Sequence, residues 1–220
     1  LQSLFEFKAV ETVRRFEGKR PIASSLIIVE KSYGYKARIV ACGNQVDSSP
    51  GVYVSSGTPD IRIVRSIIAA AQDSWKTLDF HYLDIPVAFL KSETTCDTKP
   101  MFIRPPAILV KLGLVKPGTF WKSFGSLYGF RQAPLLWART VRAFLKEEGW
   151  LPLKTEFCVF KSAKHLEAFL IVHVDDFFLM TSSDLATTVL NKLQLKFGGS
   201  VWNTNGKSFV YIGICINRFP

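Results

Sequence analysis

The sequence predicts an α+β fold, a sheet packed on helices, and three observations carry that expectation. Short runs rich in Ile, Val and Phe recur between turn residues, as strands do. Three longer stretches place apolar residues at helical spacing. The order of these elements is mixed, with βαβ segments beside hairpins, which suits helices packed against a sheet.

In chain order, Ser24 to Glu30 and Lys36 to Cys42 read as strands joined by a Ser32-Tyr33-Gly34 turn. Asp47 to Gly57, with its Ser, Pro and Gly, reads as a loop. Thr58-Pro59-Asp60 predicts a helix start, with Thr58 as cap, and Ile61, Val64, Ile68 and Ala71 then carry helical spacing to about Ser74. Thr77 to Asp84 reads as a strand with Leu78, Phe80 and Tyr82 on one face and Asp84 at its end. Prolines 100, 105, 106 and 117 make Lys91 to Pro117 irregular. Pro134 opens a second helix, striped by Trp137, Val141, Phe144 and Leu145 and closed by Gly149. Glu156 to Lys161 and Leu166 to Val174 form a strand pair, and Phe177 to Thr181 follows as another strand. Ser183-Asp184 caps a third helix that ends at Gly198-Gly199. An Asn205-Gly206 turn leads to a last strand, Phe209 to Ile216.

The 48% hydrophobic and 21% charged content of these 220 residues is that of an ordinary globular protein and argues against disorder. A net charge of +10 points to a polyanionic partner, nucleic acid before membrane. Cys42, Cys96, Cys158 and Cys215 are widely spaced, which argues against a zinc site and a disulfide framework. They suit an intracellular setting, cytoplasmic or nuclear rather than secreted. The longest apolar run is too short and too charged to span a bilayer. The chain opens on Leu1 rather than methionine, so a piece of a longer protein is expected.

Asp175 and Asp176 sit between apolar flanks in FLIVHVDDFFLM, which predicts a tight hairpin turn at a core. Asp is a common turn residue, so the pair alone fits a solvated turn as well as a cation site. Asp84 is a second acid in an apolar setting, LDIPVAFL. Acids on separate strand ends of a basic protein suggest oxygen ligands for Mg²⁺, which takes a few carboxylates with phosphate and water. Neighbours along a strand face opposite ways, so Asp175 and Asp176 are not expected to be equal ligands.

These motifs resemble the reverse transcriptases of Ty1/copia retrotransposons. SLYGFRQAPLLW (Ser126 to Trp137) is similar to the family's SLYGLKQAPRQW, and LDIPVAFL to LDVKTAFL. HVDD (His173 to Asp176) resembles YVDD, YKARIVA (Tyr35 to Ala41) resembles YKARLVA, and YIGI (Tyr211 to Ile214) resembles FLGI. The order and approximate spacing of all five match from about Tyr35 to Asn217.

The resemblance implies a right-hand fold with fingers and a mostly antiparallel palm sheet packed on helices. Residues 1–76 would be fingers-like and 77–220 palm-like, with about 91–135 returning to the fingers and no thumb or RNase H segment. It implies an RNA-directed DNA polymerase, with a primed RNA or DNA template and deoxynucleoside triphosphates as partners, and no membrane. The rest of a Pol polyprotein, with integrase and RNase H, would be the chain's natural neighbour. Asp84, Asp175 and Asp176 would be catalytic and hold two Mg²⁺ ions, with Mn²⁺ as a substitute and Asp175 favoured over Asp176. Lys36, Arg38, Ile85, Phe89, Gly129, Arg131 and Gln132 would bind the nucleotide, and Tyr211, Ile212 and Gly213 would grip the primer.

The sequence departs from the family at His173, where a Tyr is usual, and at Pro86, where a non-proline residue is usual. Two other readings stand beside the polymerase. One is a degenerate or domesticated remnant that binds nucleic acid without turnover. The other is a different two-metal enzyme such as a nuclease, though no cluster of His and acids surrounds the aspartates.

Overall fold

A computed structural model describes residues 1–16, 20–32, 34–45, 57–71, 78–93, 100–123, 127–204 and 208–217. The elements run α1 (Gln2–Glu6), β1 (Val10–Val13), β2 (Ser24–Lys31), β3 (Gly34–Ala41), α2 (Ile61–Ala70), β4 (Leu78–Asp84), β5 (Met101–Ile103), α3 (Ala107–Lys111) and β6 (Phe120–Ser123). They continue as α4 (Ala133–Glu147), β7 (Trp150–Pro152), β8 (Val159–Ser162), β9 (Phe169–His173), β10 (Asp176–Ser182), α5 (Ser183–Phe197), β11 (Ser200–Asn203), β12 (Phe209–Tyr211) and β13 (Ile214–Ile216). Among the described residues no helix is long and apolar enough to cross a membrane.

The chain forms two compact units, 1–56 with 89–140 and 57–88 with 141–220. In the first, β2 and β3 make an antiparallel ribbon from Ser24↔Ala41 to Lys31↔Gly34. A three-stranded sheet, β1-β6-β5, surrounds the fully buried Trp121 and Ile103. Ile22 bridges to Ile103, and Ala41 N–H donates to the Tyr128 carbonyl at 2.7 Å, tying the base of the ribbon down. The prolines of 91–117 do stop long elements, yet short β5 and α3 fit between them. Pro106 stands at the N-cap of α3, where a missing N–H costs little.

The second unit holds a six-stranded sheet in the order β11-β4-β10-β9-β8-β7, antiparallel at every ladder. The β4–β10 register sets Leu78, Phe80, Tyr82 and Asp84 on one face with Met180, Phe178 and Asp176. Val64 of α2, Tyr211 and Ile216 complete the core on that face. On the other face Phe177 meets Phe197 of α5, and Phe197 meets Phe144 of α4. Each fully buried Phe or Leu contributes about 1.5–3 kcal/mol relative to exposure. The burial of β4 and β10 on both faces therefore anchors the strand ends that carry the acids.

Several local expectations are corrected. The cap of α2 is Asp60, not Thr58, because its carboxylate accepts from Arg62 N–H at 2.8 Å. Its contacts with Arg62, first among them the side-chain hydrogen bond, hold that carboxyl down to about 2. The N-cap of α5 is Ser182, without a side-chain capping bond. The single strand expected over 209–216 is a hairpin folded at Ile212-Gly213. Strands β1, β6, β7 and β11 were not legible, being short and set by their partners. The expected turns at Tyr33 and Asn205-Gly206, the 47–56 part of the expected loop, and Cys96 lie outside the described residues, as does any extension of α2 to Ser74.

Candidate active site

The end of β4, the β9–β10 turn with the start of β10, and the β12–β13 hairpin of the second unit carry the acids and Tyr211. The β4–β10 register sets Asp84 opposite Asp176, and the β9–β10 register sets Asp176 opposite His173. Ile85 N–H donates to the Asp175 carbonyl at 2.9 Å, one step beyond the Asp84–Asp176 pair. That bond makes Asp84 and Asp176 a non-hydrogen-bonded pair, the register in which facing side chains lie closest. It also engages the Ile85 amide within the sheet. Gly199, at φ +113°, lets the chain pass against the Asp84 carbonyl where a Cβ would collide.

Val174 and Asp175 alone form the loop between β9 and β10. Val174 has φ 55° and Asp175 no positive φ, the pattern of a type II′ turn whose first position usually takes Gly. Val87, just after the Asp84 strand, has φ 52°, and Ile212 in the β12–β13 turn has φ 42°. A β-branched side chain at positive φ is strained by steric contact with its own backbone. Three of them stand in the three loops of this site, and such strain persists only where surrounding packing imposes it.

Asp176 is held by the aromatic side chains around it. The Tyr82 hydroxyl donates to its Oδ1, and His173 Nδ1 lies 4.0 Å from its Oδ2. The buried Tyr211 hydroxyl reaches the Ile171 carbonyl at 3.1 Å and the Asp176 carbonyl at 3.4 Å. Tyr82 packs between Trp202, at 5.4 Å, and Tyr211, at 6.4 Å. Burial, the Asp176 hydrogen bond, and then the charges of Asp176, Asp84 and Asp175 push the Tyr82 phenol well above its ordinary pKa. Burial likewise pushes the Tyr211 phenol up.

This donor set fits a hard divalent cation. The candidate ligands are all carboxylate oxygens, and two of them face each other as like charges, which destabilises a sheet unless something neutralises them. Among the described residues no group of three or more His, Cys, Asp or Glu is placed to hold a metal ion together. Mg²⁺ does not require such a group, since it binds through one or two carboxylates plus phosphate and water.

The remaining expected residues lie in the first unit. Lys36 and Arg38 are exposed on one face of β3, opposite Val29 and Ile27. Arg38 stands 5.6 Å over the Tyr128 ring, and Phe89 meets the same ring edge-on at 5.2 Å. Gly129, at φ +93°, presses so close to the Ala41 carbonyl that a side chain would collide with it. Arg38, Phe89 and Gly129 are thereby gathered around Tyr128. Arg131 is exposed and Gln132 half-buried at the start of α4.

Residues 7–217 match the family described as Reverse transcriptase (RNA-dependent DNA polymerase). The chain belongs to that family. This reverse transcriptase domain is 31% identical over 194 residues to the Retrovirus-related Pol polyprotein from transposon RE1 of Arabidopsis thaliana, an alignment covering 84% of this chain and 12% of that protein. It is 26% identical over 196 residues to the Retrovirus-related Pol polyprotein from transposon TNT 1-94 of Nicotiana tabacum, covering 82% of this chain and 14% of that one. The copia-type resemblance read from the motifs is therefore borne out, and the family's enzyme class is that of nucleotidyltransferases. The domain spans only a small part of these relatives. Among solved structures, apo telomerase from Candida tropicalis is similar in fold, with a TM-score of 0.53 at 12% identity, covering 98% of this chain and 51% of that one.

Tyr82 beside Asp176, Tyr128 beside Arg38 and Phe89, and Trp202 beside Tyr82 were not singled out from the sequence. Tyr82 had a signal, since it lies two residues before Asp84 and shares its strand face. Trp202 had none, because β11 takes its place only by pairing with β4.

Proposed function

We propose that this chain adds deoxynucleotides to a primer 3′-hydroxyl on a nucleic-acid template, as the polymerase part of a copia-type Pol polyprotein. The observation that carries this reading is the β4–β10 register, which sets Asp84 opposite Asp176 with Asp175 in the adjoining two-residue turn. Asp84, Asp175 and the second oxygen of Asp176 would hold Mg²⁺. When bound, the metal would make the primer hydroxyl more acidic and neutralise charge developing on the triphosphate.

The protein's own groups supply position. The β4–β10 ladder fixes the spacing of the acids, and the strained two-residue turn projects Asp175 beyond the sheet. Tyr211, with Ile212 and Gly213, ties the β12–β13 hairpin to the backbone of Asp176. Lys36, Arg38 and Arg131 offer cations suited to phosphate, and Arg to bidentate contact. Phe89, held by Tyr128, offers a ring to the nucleotide sugar, and Gly129 and Gln132 a backing to the base pair. The +10 net charge makes template binding electrostatic, so affinity should fall steeply with salt.

The test is primer extension on an RNA template with deoxynucleotides and Mg²⁺ or Mn²⁺, comparing the wild type with Asp175→Asn. Extension that vanishes in the variant supports the reading. A folded wild type that binds primer–template yet never extends it, alone or with the downstream polyprotein region restored, supports the remnant instead.

A further inference from the structure

We propose that Tyr82 is a positioning residue that keeps one oxygen of Asp176 away from the metal and so divides the work among the three carboxylates. This inference rests on the metal site proposed above and goes beyond it, since it gives a role to a residue outside all five motifs' acids.

The geometry is specific. Tyr82 and Asp176 share a face of the β4–β10 ladder, Tyr82 being one step along from the Asp84–Asp176 pair on that face. Its hydroxyl donates to Asp176 Oδ1. A phenol donor on a carboxylate is a charge-assisted bond, stronger than a neutral one. The ring cannot swing away easily, for Trp202 lies on one side at 5.4 Å and Tyr211 approaches on another at 6.4 Å. Tyr211 also reaches the Asp176 carbonyl. Side chain and backbone of Asp176 are thus each held by a phenol.

A cation approaching the site competes with Tyr82 for Asp176 Oδ1. The hydroxyl proton and the cation both seek the same lone pairs, and only one can take each. With the phenol on one lone pair of Oδ1, that oxygen's charge is partly taken up and Oδ2 is the oxygen left fully available, which makes Asp176 a weaker ligand than a carboxylate with neither oxygen engaged. Trp202, 49% exposed beside Tyr82, supports the ring rather than the metal.

The experiment measures Mn²⁺ binding directly, from the free-ion electron paramagnetic resonance signal, on the full 220-residue chain without nucleotide. Four proteins are compared: wild type, Tyr82→Phe, Asp176→Asn and the double variant. Tyr82→Leu serves as a second hydroxyl-free protein should the Phe variant fail to fold. Removing the hydroxyl is expected to tighten Mn²⁺ binding roughly threefold to tenfold, the scale of one charge-assisted bond partly replaced by water. In the Asp176→Asn background the same change is expected to do nothing. Unchanged or weaker binding in both hydroxyl-free variants, or a gain that survives Asp176→Asn, overturns the proposal. Primer extension separates it from the polymerase reading. Extension without the Tyr82–Asp176 coupling sinks this inference alone, whereas coupling in a protein that never extends a primer sinks only the polymerase.

Discussion

Asp84 and Asp176 stand opposite each other across the β4–β10 ladder, in the register that brings antiparallel side chains closest. Two carboxylates so placed repel, and that repulsion is relieved either by a cation or by removing one charge. In EDTA, Asp84→Asn should therefore gain stability, by about 0.2–1 kcal/mol for one like-charge cross-strand pair. Mg²⁺ should raise the wild-type melting midpoint and leave the variant nearly unmoved. Circular dichroism melts of both proteins, with EDTA and with Mg²⁺, decide it. A variant that melts lower in EDTA and responds equally to Mg²⁺ contradicts the repulsion argument.

His81 lies on the opposite face of β4, buried, with neither ring nitrogen hydrogen-bonded. Burial lowers its pKa, opposed by the Asp79 carboxylate 4.0 Å away. A depressed folded pKa means the unfolded chain takes up the proton more readily. This contribution to stability is present above the ordinary value of 6.5 and is lost as pH falls through the lower folded value. Urea unfolding at pH 7.5 and at pH 5 should show a drop that His81→Leu reduces. An equal drop in both proteins would show that His81 is not its source.

Cys158 is buried, and burial, aided by Glu156, pushes its thiol up to about 11. The thiolate is the reactive form, so iodoacetamide at pH 8 should label exposed Cys215 well before Cys158. Stability linked to this thiol is full below its ordinary value of 9.0 and is lost as pH rises through about 11. Mass spectrometry of the labelled peptides reads the order. Equal rates at the two cysteines in the folded protein would contradict the burial.

Glu156 is buried and accepts from the Asp60 N–H at 2.8 Å and the Cys158 N–H at 3.0 Å. It therefore joins the start of α2 to the loop before β8. Glu156→Ala leaves both donors to find other partners and should cost about 1–3 kcal/mol. Guanidinium unfolding measures the loss, and a change within error would show that water replaces the carboxylate without cost.

Arg38 is exposed and stands over the Tyr128 ring. If it contacts the triphosphate, Arg38→Ala should raise the KM for deoxynucleotides about tenfold, the scale of one phosphate contact, with a smaller change in kcat. Arg38→Lys should restore only part, since a point charge lacks the planar fork. Steady-state extension kinetics on one primer–template separate the two parameters. An unchanged KM would remove Arg38 from the nucleotide site.

Sequence by itself determined the local elements whose signals are local. The alternation in β4 put Phe80, Tyr82 and Asp84 on one face, and the apolar flanks of Asp175-Asp176 specified a hairpin turn. Helices α2, α4 and α5 were legible from their spacing and their breakers, and five ordered motifs were enough for the family. Tertiary structure decided what depends on partners distant in sequence. The register that sets Asp84 against Asp176 joins residues with α3, α4 and the 89–140 segment of the first unit between them in the chain, so no window of sequence encodes it. The strands β1, β6, β7 and β11 are three or four residues long and exist because a neighbouring strand satisfies their backbone. The roles argued for Tyr82, Trp202 and Tyr128 follow the same rule. An aromatic side chain reads as core until packing shows which charge it touches, and that contact is made only when the strands close.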